Sequence, residues 1–296
     1  IVNNRYGNQI DAFKHAAIIV KDLSQQQDIY IETLTLTNVQ SGFKTGSMSG
    51  RLRNPLNSEI LGRAVYTPPV NNGEQAKYKT LLKFPEYYNK ISPHLVYRYA
   101  DPERFMAIGI DLRLKSEVKF SPNLYITTTI AQQITSSFNR LRHKPASALQ
   151  NVRTDGVKYL NQRADTYITS LQLDRISKLK NNHYLKMTAG LFEEMFGGYG
   201  VEYYWKPFQK NLSIGINLYN VKQRNYKQQF KFSKYRVTTG HSNLIYFHNN
   251  SGITLDLAIG KYLAGDKGYT LDLSRKFKSG YKMGAYFTRT NISKSD

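Results

Sequence analysis

Apolar residues fall on every second position in run after run along the last two thirds of the chain, and this repeat constrains the fold more than any other feature. Residues 211–221, NLSIGINLYNV, show it plainly. Leu212, Ile214, Ile216 and Leu218 share one face of an extended strand, and Ser213, Gly215, Asn217 and Tyr219 share the other. The same alternation places Met106, Ile108, Ile110, Leu112 and Leu114 together, then Leu124, Ile126 and Ile130, then Leu185, Met187 and Leu191. Further runs give Val201, Tyr203 and Trp205, then Ile253, Leu255, Leu257 and Ile259, then Tyr269, Leu271 and Leu273, and last Tyr281, Met283, Ala285 and Phe287. These runs approach the roughly nine to eleven residues with which a tilted strand crosses a bilayer. Their opposite faces are small or polar and carry isolated charges, which suit a wet or hydrogen-bonded interior better than a dry sandwich core.

The connections carry the second signal. Short ones fall at 121–123, 177–182, 206–211, 248–251 and 276–280; longer ones lie between them, at about 132–165, 192–198, 220–236 and 263–268. Short turns on one rim and long loops on the other mark an outer-membrane barrel, whereas a lipocalin or a sandwich alternates without that asymmetry. The expectation is a mainly β fold: an antiparallel transmembrane β-barrel. Eleven strands can be counted from His94–Ala100 onward, and bacterial single-chain barrels are even-numbered. About 12 strands are therefore expected, with at least one closing strand missing and the barrel incomplete in this chain.

Composition narrows the partners. The 296 residues hold 42 Lys and Arg against 21 Asp and Glu, a formal charge of +21, which points to nucleic acid, anionic lipid or an acidic polymer. Cysteine is absent, so disulfides, cysteine-zinc sites and thiol catalysis are out. Mean hydropathy is −0.53 and no run of 18 apolar residues exists, so no helix is expected to span a membrane; barrel strands hide from such averages. Tyrosine, present 23 times beside a single Trp, tolerates strands and keeps a wet hydroxyl, as sheets at interfaces require. The opening IVNNRY lacks Met and a signal sequence and reads as a processed or trimmed end.

The first 90 residues read differently. Asp11 is placed to cap a helix carrying Phe13, Ala17, Val20 and Leu23, with His15 a packed or exposed side chain. A β-rich stretch follows at 28–37, then a turn near Gly42 and Gly46, a second short helix at 57–66, and a linker at 67–74. The division expected is a small α/β module with linker, on the periplasmic side, at 1–90, and an outer-membrane barrel at 91–296.

GLFEEMFGGYGVE (190–202), VKQR (221–224), TGH (239–241), GKYLAGD (260–266), LSRKFKSG (273–280) and GAYFTRTN (284–291) resemble the YjbH family of outer-membrane exopolysaccharide-biosynthesis proteins; VRTD (152–155) and the segment near 11–36 are also similar. The resemblance is best over 150–292. It implies an outer-membrane β-barrel in a Gram-negative bacterium, acting non-catalytically in production or export of an extracellular polysaccharide. It also implies a full protein extending beyond both ends of this chain, with a second barrel upstream and a lipid-modified N-terminus. The partners expected are outer-membrane lipid, lipopolysaccharide, exopolysaccharide and other exopolysaccharide-system proteins in the periplasm, without cofactor, metal or nucleic acid.

If the apolar faces meet lipid, then Asp111, Arg113, Asp174, Lys186, Glu202, Tyr204, Asp256, Asp272 and Tyr286 line the lumen, as polymer contacts or as an internal network filling a narrow barrel. Asp256 and Asp272 sit on strands joined by one connection and are expected near one another. In the long loop at 222–236, Lys222, Arg224, Lys227, Lys231, Lys234 and Arg236 form a candidate anion-binding set with interleaved aromatics; a solvated strand extension is the plain alternative. Arg140, Arg142, Lys144 and Arg153 add charge to another loop. A surface hydrolase is disfavoured: His241 and Ser242 point to opposite strand faces, Glu193 and Glu194 lie in a turn-like segment, and the histidines lack metal-ligand spacing. The remaining alternative is a general porin or structural barrel linked to polysaccharide only indirectly.

Overall fold

The computed structural model describes residues 9–31, 33–51, 65–67, 83–101, 104–141, 152, 155–207, 210–248, 250–277 and 279–292. Helix α1 (Gln9–Gln26) precedes a small antiparallel sheet of β1 (Thr33–Gln40), β2 (Phe43–Arg51) and β3 (Val65–Thr67). The helix starts at Gln9, so Asp11 lies inside it rather than at its cap; Ala17 is buried, while Leu23 is exposed. Ser41 and Gly42 both take positive φ (48° and 81°), the two-residue turn whose twist suits a tight hairpin. The expected helix at 57–66 and linker at 67–74 fall almost wholly outside the described residues; Val65–Thr67 is strand.

The rest is one antiparallel meander of 11 strands in chain order. These are β4 (Glu86–Asp101), β5 (Arg104–Ser121), β6 (Leu124–Ser136), β7 (Thr166–Lys180), β8 (His183–Leu191), β9 (Phe196–Trp205), β10 (Leu212–Arg224), β11 (Phe232–His248), β12 (Ile253–Lys261), β13 (Lys267–Lys276) and β14 (Lys282–Thr290). Among the described residues β4 and β14 are edges that do not pair with each other, so the sheet is not closed. The division expected between residues 90 and 91 falls inside β4, which begins at Glu86. A 3-10 turn (Phe138–Arg140) and helix α2 (Gly156–Asn161) lie between β6 and β7.

Cross-strand register turns the sequence alternation into rows. One face carries Leu185, Tyr203, Ile216, Ser242, Ile259 and Tyr269 side by side on β8 to β13, and below it Trp205, Ile214, Leu244, Leu257, Leu271 and Phe287 on β9 to β14. The other carries Lys186, Glu202, Asn217 and His241, then Ser213, Ile245, Asp256, Asp272 and Tyr286. On β5 the split is sharp: Ile108, Ile110, Leu112 and Leu114 are exposed, whereas Ala107 and Asp111 are 0% exposed. The sheet is thus inverted, with aliphatic side chains outside and charge inside.

The rims differ less than the sequence suggests. One has connections 102–103, 137–165, 192–195, 225–231 and 262–266; the other has 122–123, 181–182, 206–211, 249–252 and 277–281. Only 137–165 and 225–231 stand out, because β10 and β11 run on through much of 220–236. The β1–β2 turn meets the second rim: Lys178 Nζ donates to the Lys44 carbonyl at 3.1 Å, and Pro122 sits against Gly42.

Candidate polar lumen and its cap

The inner face holds two charge networks. In the first, Asp111 on β5 accepts from Arg163 Nη2 at 3.0 Å and from the Tyr167 hydroxyl at 2.5 Å. Arg163, its side chain 2% exposed, also donates to Gln133 Oε1 at 2.7 Å and lies over the Phe138 and Tyr167 rings. Arg113 reaches Asp111 at 3.9 Å and Glu194 at 3.7 Å. A carboxylate fully removed from water is tolerable only with such partners.

In the second network Lys186 on β8 stands between Asp174 (3.3 Å) and Glu202 (3.5 Å). Gln172 Nε2 donates to both oxygens of Asp174, and the Tyr219 hydroxyl donates to Glu202. Tyr219 reaches it by lying over Gly200, its direct cross-strand neighbour, where a Cβ would collide with the ring. Tyr204 faces inward between Tyr184 and Gly215.

The strands β11 to β14 are different. Asp256 and Asp272 stand directly opposite each other, as their single connection suggested, and Tyr286 is opposite Asp272 on β14. Asn243 donates to Asp256 at 3.0 Å. Among the described residues neither carboxylate has a cation in ion-pair range. Of the inner residues expected from sequence, five are bound into the closed networks, and Asp256, Asp272 and Tyr286 lie on the open side.

Over the β5–β10 end sits a cap built from the long connections. Arg224, at the end of β10, is 0% exposed and donates to the carbonyls of Glu193 (2.6 Å), Ile168 (2.8 Å) and Gln228 (2.9 Å). It therefore does not belong to an exposed anion-binding set: a register shift after Lys222 turns it inward. The Tyr159 hydroxyl on α2 donates to the Arg224 carbonyl, and Gln228 Nε2 donates to the Tyr159 carbonyl at 2.8 Å. Asp155 accepts from Gln223 at 2.9 Å and from Tyr226 at 3.3 Å and pairs with Lys158 at 3.0 Å. Burial alone would raise the Asp155 carboxyl, but the Gln223 and Lys158 contacts outweigh it and hold it below the usual range. Lys158 is raised by the same bond, and burial raises the Tyr159 phenol.

The other basic candidates are exposed: Lys222, Lys234 and Arg236 on the outward strand faces, Lys227 and Lys231 on the turn. Arg140 is exposed too, while Arg142, Lys144 and Arg153 lie outside the described residues. His241 points inward against the Tyr262 ring and Ser242 outward, so they form no dyad. The sequence reading missed Arg163, Tyr167, Asp155 and Tyr159. Tyr167 is the one with a visible signal, since it shares strand parity with Thr169, opposite to Ile168.

The family model for "Exopolysaccharide biosynthesis protein YbjH" matches residues 2–296. The chain is 30% identical over 213 residues, 70% of its length, to the "Uncharacterized lipoprotein YjbH" of Escherichia coli strain K12. The match spans 30% of that relative's length. No solved structure matches. With the family model covering nearly every residue, the chain belongs to the YjbH family of exopolysaccharide biosynthesis proteins.

Proposed function

We propose that this chain forms part of an outer-membrane β-barrel in a Gram-negative envelope and takes part in export of exopolysaccharide, without a reaction of its own. The observation that carries the reading is the inverted sheet, with aliphatic rows outside and ion-paired carboxylates inside. Family membership supplies the link to exopolysaccharide production. Hydrocarbon cannot satisfy an open sheet edge, so in a membrane β4 and β14 take strand partners, from each other or from further segments of a protein whose E. coli relative is much longer. The polymer contacts fall on the open half, at Asp256, Asp272 and Tyr286, where carboxylates outside the ion-pair networks and a ring face can meet sugar hydroxyls. The α/β module ahead of Glu86 sits on the periplasmic side, where its β1–β2 turn meets the rim and other exopolysaccharide-system proteins can reach it.

Single-channel conductance of the full-length protein in planar bilayers tests this. A steady conductance whose cation preference falls in D256A/D272A is the expected result. Folded, inserted protein without conductance refutes the conduit. That outcome would favour a structural barrel, the reading to which Arg224 lends weight because it ties three strand-end and connection carbonyls together over the networked half.

A further inference from the structure

We propose that the outer face of β10 to β14, just inside the long-connection rim, binds the phosphates of a bisphosphorylated glycolipid of the lipopolysaccharide class. This rests on the barrel reading and places that lipid at a defined site. The register sets cations side by side across strands: Lys222 opposite Arg236, and Lys261 opposite Lys267. Arg289 stands next to Tyr269 on β14. Asp256 and Asp272 point inward and Asp266 is buried, so no carboxylate of β10 to β14 shares this face. Like charges directly opposed across strands repel, and an anion lying over both removes the penalty.

Immediately below the cations the surface turns aliphatic, and it is hollowed. Gly240, in register between Leu218 and Lys261, leaves a gap in the outer face. It opens a hollow of about 430 Å³ bounded by Leu218, Thr238, Ile259 and Lys261. A second, of about 570 Å³, adjoins it, with Gly260 and Gly268 as floor and Ile259, Lys261, Lys267 and Tyr269 as walls. Apolar walls capped by ammonium groups match acyl chains that end in phosphorylated sugar. The register sets the Lys222 and Arg236 pair four residues further along the strands than the Lys261 and Lys267 pair, about 13 Å at roughly 3.3 Å each. That spread suits phosphates at the two ends of a disaccharide better than one phosphodiester headgroup.

The test uses the full-length protein in nanodiscs and measures retained lipid by mass spectrometry, offering bisphosphorylated lipid A, monophosphorylated lipid A and phosphatidylglycerol. Wild type is expected to retain the bisphosphorylated form preferentially, and R236Q/K261Q/K267Q to lose that preference by about tenfold, more weakly visible at high salt. These side chains lie on the surface, and heat-modifiable gel mobility reports whether the variant is folded. Equal retention of phosphatidylglycerol, or a variant indistinguishable from wild type, overturns the site while leaving the barrel standing. Failure of wild type to insert overturns both.

Discussion

Arg163→Met tests whether the interior is held by paired charge. Asp111 is 0% exposed and the Arg163 side chain 2%, so the variant leaves a carboxylate in a dry pocket with only the Tyr167 hydroxyl and the 3.9 Å contact to Arg113. Removing one partner of a buried pair costs about 3–5 kcal/mol. Because Tyr167 and Arg113 remain, the lower end applies, about 3 kcal/mol. Asp111→Asn alone leaves a guanidinium that still holds Gln133 and stacks on Phe138 and Tyr167, so it costs less, about 1–2 kcal/mol. In D111N/R163M neither charge is orphaned, and the loss should fall well below the sum of the single changes. The assay is urea unfolding of the full-length protein in phospholipid vesicles, with the folded fraction read from heat-modifiable gel mobility. An R163M loss under 1 kcal/mol, or strict additivity in the double variant, refutes the argument.

Three further outcomes are expected. Arg224→Met orphans the carbonyls of Ile168, Glu193 and Gln228 at about 1–3 kcal/mol apiece, so limited proteolysis should nick 225–231 much faster while the strands stay protected. The depressed Asp155 carboxyl contributes stability that is present above the ordinary aspartate value of about 3.9 and is lost as pH falls through its lower folded value. Amide-exchange protection of 156–161 and 225–231, corrected for intrinsic rate, should therefore hold from neutral pH to about 5 and decline below about 4; Asp155→Asn should be weaker throughout and lack that decline. Gly200→Ala forces its Cβ into the Tyr219 ring, breaks the bond to Glu202 and should cost about 1–3 kcal/mol in the same urea assay, whereas Gly215→Ala, with its nearest neighbour at 3.5 Å, should be nearly neutral.

What the sequence shows and what it hides divide along a physical line. Alternation is local, so the outward placement of Ile214, Ile216 and Leu218 and the inward placement of Asp111 and Asp174 were readable. The nearness of Asp256 and Asp272 followed because a single connection joins their strands. Arg224 was misplaced because its neighbours Lys222 and Lys227 are solvent-facing; an irregularity in the ladder turns a side chain inward without leaving a trace in composition. Arg163 and Tyr159 were missed because their partners lie far along the chain. Asp111 is 52 residues from Arg163, and Arg224 is 65 from Tyr159. The rim asymmetry was overread for a related reason, since polar residues between 220 and 236 continue the ladder rather than end it.

Exposed aliphatic residues are ordinary on any protein surface; their contiguity is what favours lipid here. Leu212, Ile216, Leu218, Leu244, Leu255, Ile259, Leu271 and Leu273 are each 38–57% exposed and adjoin one another across β10 to β13. Half-exposing a large aliphatic side chain forgoes about 1 kcal/mol of burial. Summed over these eight and the matching row on β5, the forfeit reaches the order of 10 kcal/mol, comparable with the whole net stability of a folded domain. The opposite choice, packing those rows together and turning Asp111, Asp174 and Arg163 out to water, lies one register step away for every strand. A sequence that instead encloses those charges, and supplies a partner for each, is what the proposed membrane barrel requires.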